Sequence, residues 1–342
     1  MVDQVSFRHA NEIFQGLTSK QVDEGFAYRG HGSSKYKLIP SFQRPGGRDK
    51  FLSIEPGALI TASSWPFRMF YRTANQMGLS LPSVSYDKHR NYTSESAIDA
   101  LFDFTDEAET DYDEHDLEIM AFAQHYQVPT PLLDWSRSPL VAMYFAASST
   151  LKHVVDMALK HRTIDQIADG KFSENDCENL RKEAEGKYLS VWQANALALN
   201  ELSRQRHLMN LDVEGTHSVR FFTPRTQGNQ NIVAQQGFFS IHHPYKMIFE
   251  YRYAEAIPKC LSEVVQEHTK WLDGREGQSQ FLRQARVNGL LKEYVLPYSE
   301  TVKLLKLLGA CGIHAASIYP DHQGCARRVQ EQAAISWLDR LL

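Results

Sequence analysis

The sequence predicts an α+β fold: one domain built on a split, mostly antiparallel sheet with helical insertions. Short segments with strand-like alternation are separated by helical stretches of uneven length. No regular strand–helix alternation, which would indicate a parallel doubly wound sheet, runs through the chain. We therefore expect residues 1–342 to form a single domain, with its core at about 20–330 and helical insertions at about 43–116 and 151–187.

Before residue 118, the sequence predicts one clear strand and two helices. The strand lies at 26–30, and the helices lie at 64–77 and 96–104, where apolar residues recur at helical spacing. The remaining segments are an amphipathic segment at 3–18, an extended piece at 35–42, a polar connection at 78–95 and a solvated acidic run at 105–116.

The stretch at 118–147 organises the chain, because polar residues concentrate there between two buried segments. Its opening helix ends before Pro129, since proline lacks an N–H and biases its predecessor towards extended geometry. A short strand follows, and Ser136 or Ser138 can cap a second helix. The polar residues of the junction are Gln124, His125, Tyr126, Thr130, Asp134, Ser136 and Arg137. The alternative to a functional site is that Asp134 and Ser136 only cap the second helix.

After residue 147, the sequence predicts solvated helices up to about 187, and then a central strand at 188–194 with alternating apolar residues. Residues 220–224 begin an irregular segment. Gln235 and Gln236 belong to a segment whose end alternates as a buried strand. Further strands are predicted at 246–253 and 290–297, and further helices at 259–272, 299–308 and 324–342.

Three segments carry recognisable motifs in order along the chain: an aromatic-Arg-Gly signature at 26–31, a central motif from Gln124 to Ala146, and a run at 312–324. Together these motifs resemble those of the FRG domain family. Residues 312–324 resemble the closing strand of the family, which implies a strand at 313–319. One departure is Pro131, where the family usually has arginine. Another is His322-Gln323-Gly324, where the family has an acidic-Leu-Asp-Gly run.

This resemblance also implies a likeness to the ADP-ribosyltransferase superfamily, both in the split sheet and in the use of NAD as a substrate. Arg29 matches the strand arginine that grips NAD, and the Asp134–Ser136 turn matches the strand that shapes the nicotinamide pocket. Gln235 and Gln236 stand where the superfamily has a glutamate. A glutamine cannot supply the full negative charge that stabilises an oxocarbenium ion, so Glu118 or Asp134 is expected to supply it.

Arg29 is the central candidate, because a guanidinium can bind two oxygens of a phosphate or pyrophosphate at once. Gly30 would let the backbone approach such a ligand closely. Two alternatives remain for Arg29: a surface ion pair, or a structural clamp on Asp134. The predicted ligand-binding residues are Tyr28, Arg29, Gly30, His31, Trp135, Ser136 and Gln235. The predicted catalytic residues are Arg29, Glu118, His125, Asp134 and Gln236.

His125 is a candidate acid or base that shares a pocket with Glu118 and Asp134. Glu118 precedes it by seven residues, which is about 700° of helix, so the two side chains share a helix face. Glu118 could then orient the imidazole. The alternative is a half-buried histidine with a structural role.

Two function classes follow. The first is an NAD-consuming, ADP-ribosyltransferase-like enzyme that modifies a macromolecule, protein or nucleic acid, as a bacterial toxin or in phage defence. The second is a non-catalytic module that binds a nucleotide or a partner and lacks the catalytic glutamate. A metal-free nuclease or a nucleic-acid binder ranks third, because the net charge is −4 and the basic residues are spread out.

The composition and the distribution of apolar residues argue against metal sites, disulfides and membrane segments. The four cysteines are widely scattered, with no ligand-like spacing to one another or to histidine, so we expect neither a metal site nor disulfides. The N-terminal residues lack a basic region followed by an apolar run, and no stretch approaches 18 apolar residues. We therefore expect a cytoplasmic protein that does not bind membranes.

Overall fold

The computed structural model has one seven-stranded, mostly antiparallel sheet at its centre. It describes residues 3–19, 25–44, 59–93, 112–160, 173–208, 217–226, 229–244, 259–273 and 279–339. The strands are β1 Asp3–Ser6, β2 Phe26–His31, β3 Leu132–Ser136, β4 Tyr188–Asn195, β5 His217–Phe222, β6 Gly237–Pro244 and β7 Leu291–Pro297. Their order across the sheet is β1-β7-β4-β2-β3-β6-β5, with only the β1–β7 pair parallel. The prediction of a mixed fold with a mostly antiparallel sheet is confirmed.

Thirteen α-helices are described around this sheet, together with 3-10 turns at Ser41–Gln43 and Tyr298–Glu300. The helices are α1 Ala10–Thr18, α2 Leu59–Gln76, α3 Tyr86–Thr93, α4 Glu114–His125, α5 Pro139–Leu159, α6 Glu174–Ala184, α7 Ala196–Leu208, α8 Gln230–Ala234, α9 Leu261–Asp273, α10 Gln280–Asn288, α11 Thr301–Ala310, α12 Ala315–Ile318 and α13 His322–Leu338. None of the described helices is both long enough and apolar enough to span a bilayer.

The two faces of the sheet bury different sets of helices, because side chains alternate along each strand. Tyr28 packs with α1, α5, α11 and α13, whereas its neighbour Ala27 packs with α7, α9 and α10. A third cluster joins α2, α3 and α4 to Leu132 of β3 and to β6. The central strand β2 is therefore covered on both sides.

Helix α5 lies directly against β2 at Gly30. A Cβ atom built on Gly30 would lie 2.0 Å from the main-chain oxygen of Ala142 and 2.5 Å from the nitrogen of Ala146. The glycine is therefore required for the contact between helix and strand. The space beside it, expected from the sequence to admit a ligand, is filled by α5.

Strands β2 and β3 lie side by side, yet they pair at one position only, Tyr28 with Ser136. By contrast, β2 pairs with β4 over all six of its residues. Beyond the single pair, a side chain of β2 rather than its backbone makes the connection to β3, and this side chain is Arg29.

Helix α5, the second helix of the stretch at 118–147, begins where serine capping predicts it to begin. Ser138 is the N-cap of α5, its hydroxyl accepts from the amide of Val141 at 3.4 Å, and Pro139 occupies the first turn. Ser136 instead accepts from the amide of Ser138 at 3.0 Å. Of the two serines that the sequence offered as caps, Ser138 is the one used, and Ser136 supports the turn before it.

Several sequence predictions were wrong. The segment 313–319 is not a strand but contains the short helix α12, because the His314 side chain caps it by accepting from the amide of Ser317. Gln235 and Gln236 lie in the turn before β6, residues 35–42 contain no strand, and residues 220–222 belong to β5. Helices α3, α7 and α10 were not predicted. The helix predicted at 96–104, the strand at 246–253 and most of the acidic run lie outside the described residues.

Candidate functional site

Arg29 links β2 to β3 through its guanidinium. Nη1 donates to the main-chain oxygen of Asp134 at 2.6 Å and to the Asp134 carboxylate at 3.2 Å. The Arg29 side chain is only 12% exposed, whereas that of Asp134 is 60% exposed. The contact that the structural-clamp hypothesis predicts is therefore present.

His31, two residues along β2, supports the same guanidinium from behind. Its Nε2 accepts from Nε of Arg29 at 3.0 Å, and its Nδ1 lies 3.2 Å from the main-chain oxygen of Tyr36. Both contacts are satisfied by a neutral ring with its proton on Nδ1. Burial, followed by the positive charges of Arg29 and Arg44, lowers the pKa of His31 to about 3. His31 is therefore neutral at physiological pH.

Asp134 is held from the other side by Gln124 of α4. The Gln124 amide donates to the Asp134 carboxylate, and its oxygen accepts from the Thr130 hydroxyl. Ser41 completes the connection: its hydroxyl accepts from the Thr130 amide at 3.1 Å and donates to the Thr130 oxygen at 3.2 Å. We call the hydrogen-bonded set His31, Arg29, Asp134, Gln124, Thr130 and Ser41 the Asp134 network.

A cavity of about 280 Å³ opens beside this network. Its lining residues are Ser41, Arg44, Gln124, Gln127, Val128, Leu132 and Asp134. Nε of Arg44 donates to the Ile39 oxygen at 2.9 Å, and its two Nη atoms have no hydrogen-bond partner within the described ranges. Burial among protein atoms and the nearby charge of Arg29 lower the pKa of Arg44, whereas Asp134 opposes this shift. The Asp134 carboxylate is thus paired with Arg29 and lies near Arg44 without a hydrogen bond to it.

The end of α4 shapes one wall of this cavity. Gln127 has φ 64°, in the left-handed region, and its amide donates to the Gln124 oxygen at 2.9 Å. The amide of Val128 donates to the Ala123 oxygen at 3.1 Å. These two hydrogen bonds form a Schellman motif, which accounts for the left-handed residue just past the helix end.

The segment that contributes most of these site residues matches the model of a known domain family. Residues 24–154 match the FRG domain. The resemblance read from the sequence is confirmed over that range, which we call the FRG segment and which spans β2, β3, α4, Arg44 and most of α5. Comparison with curated proteins and with solved structures gives no match.

Within the FRG segment, Glu118 and His125 do not join Asp134. Both Glu118 carboxylate oxygens accept from the amide of Arg225, at 3.0 and 3.1 Å. His125 is exposed at the end of α4 and lies edge-on against the ring of Tyr126. Gln124, between them in the sequence, is the α4 residue that reaches Asp134. The structure thus separates the pair from the pocket in which the sequence placed it.

The aromatic and hydroxyl candidates of the FRG segment are engaged in packing. Trp135 is buried and donates from Nε1 to the Ser240 hydroxyl at 2.8 Å. Tyr28 is buried, and its hydroxyl accepts from Gln193 at 3.3 Å. Ser136 is buried and donates to the main-chain oxygen of Gln235 at 2.7 Å. None of these side chains lines the cavity beside Asp134.

The two glutamines that stand in place of a glutamate lie beyond the FRG segment. The side chain of Gln235 donates to the main-chain oxygen of Ile318 at 3.3 Å, and so ties the turn before β6 to α12. Gln236 is exposed with φ 48°, and its main-chain oxygen accepts from the amide of Arg137 at 3.1 Å. Of all the predicted site residues, Asp134 alone lines the cavity.

Sequence reasoning missed Ser41, which lies in the piece predicted as extended, and Arg44, which follows it at the start of the predicted insertion. Gln124 and Thr130 were noticed only as polar residues of the junction. The one signal in the sequence was that Arg44 is an arginine close to the signature that contains Arg29. As for metals, no cluster of three or more His, Cys, Asp or Glu side chains is arranged to bind an ion within the described ranges.

Proposed function

We propose that the chain binds a phosphate-bearing nucleotide, of which NAD is the first example to test, in the cavity beside Asp134. The observation that carries this proposal is the charge on the cavity wall. Arg44 lines the cavity with two Nη atoms that have no described partner, while Asp134, the one carboxylate in the lining, is already bound by Arg29 and Gln124. A guanidinium without a counter-ion favours a phosphate or carboxylate group.

In this proposal Arg44 grips the anion, and Arg29 positions Asp134. Arg29 is nearly buried, and its Nε and Nη1 are occupied by His31 and Asp134. Releasing these hydrogen bonds to bind a ligand would cost about 1.5–3 kcal/mol for each bond to the charged group. Arg44 has no such cost, because only its Nε is engaged.

The size of the cavity limits how much of the ligand it can hold. At about 280 Å³ it lies just below the roughly 300–1,000 Å³ that ligand pockets usually have. It therefore suits one phosphate with the group next to it. The rest of a dinucleotide would extend across the exposed rim formed by Asp134 and Gln127.

ADP-ribosyl transfer is the enzymatic form of this proposal. The exposure of the Asp134 carboxylate favours it, because a fixed negative charge can stabilise an oxocarbenium ion. In that reaction the bond between C1′ of the ribose and nicotinamide breaks, and nicotinamide leaves with the bonding electron pair. C1′ then bonds to a nucleophile of a macromolecular acceptor, which loses its proton to water. The resemblance suggests a bacterial toxin or phage-defence setting for this activity.

The alternative is a non-catalytic module. It is favoured by the placement of Gln236 on an exposed turn and by the engagement of both Glu118 oxygens with the Arg225 amide. Without a free glutamate, Asp134 is the single carboxylate that lines the cavity. Binding and turnover must therefore be measured separately.

Binding is tested by calorimetry with NAD, ADP-ribose and inorganic phosphate. Arg44→Ala should weaken binding by about tenfold or more, because a charge-assisted hydrogen bond contributes about 1.5–3 kcal/mol. The exposed arginine Arg283 of α10 provides a matched control, since Arg283→Ala removes the same charge elsewhere. Equal affinity for wild type and Arg44→Ala would overturn the proposal.

Turnover is tested by the release of nicotinamide from NAD, followed by mass spectrometry of added protein and nucleic acid for a transferred group. The enzymatic form expects release by the wild type and its loss in Asp134→Asn, with melting temperature measured to confirm folding. Binding without any release would assign the non-catalytic module.

A further inference from the structure

A second and larger cavity, of about 660 Å³, lies past the C-terminal end of β2. The loop after β2, the last two turns of α5, the end of α6 and the start of β4 surround it. Its lining residues are Ser33, Ser34, Lys35, Tyr36, His153, Asp156, Met157, Leu159, Lys160, Glu183, Gly186, Lys187, Tyr188 and Tyr298. It shares no lining residue with the cavity beside Asp134. We call it the Lys187 cavity.

The walls of the Lys187 cavity are fixed by hydrogen bonds that do not involve a ligand. The amide of Ser34 donates to the main-chain oxygen of Tyr188 at 2.7 Å. The hydroxyl of Tyr298 donates to the oxygen of Gly32 at 2.6 Å, and its amide donates to the oxygen of Lys187 at 3.1 Å. The loop after β2 is therefore held against β4 and the 3-10 turn, and the cavity is formed in advance.

Among the described residues, no carboxylate pairs with the ammonium of Lys187. The residue is half-buried, and the partner of its ammonium among the described residues is the thioether sulfur of Met157, at 3.2 Å. A thioether is a weak acceptor and carries no charge. By contrast, Lys160 on the same wall pairs with Glu183 at 3.0 Å. A half-buried ammonium without an anion is costly, which points to an anionic ligand for Lys187.

Aromatic rings form much of the remaining wall. The rings of His153 and Tyr298 are parallel within 4°, with centroids 6.4 Å apart. The hydroxyl of Tyr36 lies 3.5 Å from Nε2 of His153, and Tyr188 is 38% exposed at the rim. Stacking on such rings accommodates any nucleobase, because every base has a π-face.

We propose that the Lys187 cavity binds a nucleoside monophosphate, with the phosphate at Lys187 and the base against the tyrosine and histidine rings. The hydroxyl of Ser34 and the ammonium of Lys35 lie in the same lining and have no described partner that would compete with the phosphate. A volume of about 660 Å³ falls within the roughly 300–1,000 Å³ of small-molecule sites.

Two sources of negative charge in the cavity repel a phosphate group and limit its affinity. Asp156 adds a negative charge to the lining, and the C-terminal ends of α5 and α6 present partial negative charge. The Lys160–Glu183 pair is neutral as a whole. The charges that favour the ligand are therefore Lys187 and Lys35, and neutralising Asp156 should strengthen binding.

The proposal is tested by calorimetry on the full chain with AMP, UMP, adenosine and inorganic phosphate as probes. AMP and UMP should both bind, whereas adenosine should bind about tenfold more weakly or not at all, because it lacks the charged group. Lys187→Met, which keeps the length of the side chain, should weaken AMP binding by about tenfold or more. The matched control is Lys152→Met, since Lys152 is exposed on α5 outside the lining.

Two further variants distinguish this site from the proposed nucleotide site. Asp156→Asn should tighten AMP binding at the Lys187 cavity, and AMP should still bind in Arg44→Ala, which removes the proposed anion-binding guanidinium of the other cavity. Equal AMP affinity for Arg44→Ala and for the double variant Arg44→Ala/Lys187→Met, or equal affinity of Arg44→Ala for AMP and adenosine, would overturn the Lys187 proposal without affecting the first. AMP binding abolished by Arg44→Ala but retained in Lys187→Met would assign the ligand to the cavity beside Asp134.

Discussion

The two cavities differ in how the protein treats the charges on their walls. Beside Asp134, carboxylate, amide, hydroxyl and guanidinium groups are joined in one hydrogen-bonded network, and the two Nη atoms of Arg44 have no hydrogen-bond partner among the described residues. In the other cavity the ammonium of Lys187 contacts a thioether. A charge that is satisfied internally mainly stabilises the fold, whereas a charge left unsatisfied is available to a ligand.

Strand β2 supports both regions, because His31 contacts each of them. One ring nitrogen of His31 accepts from Arg29 of the Asp134 network, and the other donates to the main-chain oxygen of Tyr36, whose side chain lines the Lys187 cavity. A substitution that displaces β2 should therefore affect both regions, whereas a substitution in only one region should affect that region alone.

The largest effect is expected from Gly30→Ala, which should remove the support common to both regions. Its Cβ would lie 2.0 Å from a main-chain oxygen of α5, so helix and strand must separate. We expect a loss of more than about 4 kcal/mol of unfolding free energy, measured by urea denaturation. Gly309→Ala is the control, because the nearest atom to its Cβ lies 3.8 Å away, and alanine in this helix should stabilise by about 0.5–1 kcal/mol. A Gly30→Ala protein as stable as wild type would contradict the proposed packing role.

Arg29→Ala should have the next largest effect, confined to the Asp134 network. It removes the hydrogen bonds to Asp134 and leaves His31 without its donor, at a cost of about 2–3 kcal/mol. The melting temperature should fall by roughly 1–2 °C for each kcal/mol, because the unfolding entropy grows with chain length. Arg29→Lys should recover little of this, because an ammonium lacks the planar fork. An unchanged melting temperature together with lost NAD affinity would assign Arg29 to ligand binding instead.

His31 should make stability fall as the pH falls. Its pKa is lowered from 6.5 to about 3 in the folded chain, so below pH 6.5 the unfolded state takes up a proton that the folded state does not. The contribution is therefore complete above pH 6.5 and is lost between pH 6.5 and about 3, at up to about 1.4 kcal/mol per pH unit. Urea denaturation of wild type and His31→Gln at pH 7, 6 and 5 measures this, and His31→Gln should show the smaller dependence. Parallel curves would show that His31 is not the group responsible.

The smallest effect on stability is expected from Lys187→Met. Because the ammonium is paired with no described carboxylate, its removal breaks no ion pair and relieves part of the cost of burying the charge, so the unfolding free energy should change by no more than about 0.5 kcal/mol or rise slightly. The unfolding free energies of Lys187→Met and Arg29→Ala, measured under the same conditions, should therefore differ, which tests the difference between the two cavities. A large loss of stability at Lys187 would place it with the structural charges.

Sequence periodicity predicted most long elements of the sheet and core. Strands β2, β3, β4 and β7 and helices α2, α4, α5, α9, α11 and α13 all lie where apolar alternation or helical spacing placed them. Helices α3, α7 and α10 were missed, and two further errors fall on short segments whose conformation is set by a single local contact. The His314 cap makes a helix of a segment that resembles a strand, and the left-handed Gln236 ends the turn before β6.

At the candidate site, the sequence supplied the residues but not their partners. The aromatic-Arg-Gly signature and the polar junction identified Arg29 and Asp134, and their contact was one of the alternatives. Helical spacing correctly placed Glu118 on α4, yet the loop after β5 captured its carboxylate. The sequence offered no reason to expect this, because the two residues are more than a hundred positions apart.

By itself, the sequence determined the local properties of this protein: where helices begin, which segments alternate, and the FRG motifs of residues 24–154. Hydrophobic period and capping chemistry act over a few residues and can be read directly. Only the tertiary structure decided which charges are satisfied. The pairing of Arg29 with Asp134 and the contact of Lys187 with the thioether of Met157 depend on how distant segments pack against β2 and β4, so which charges are paired among the described residues is decided in the folded chain.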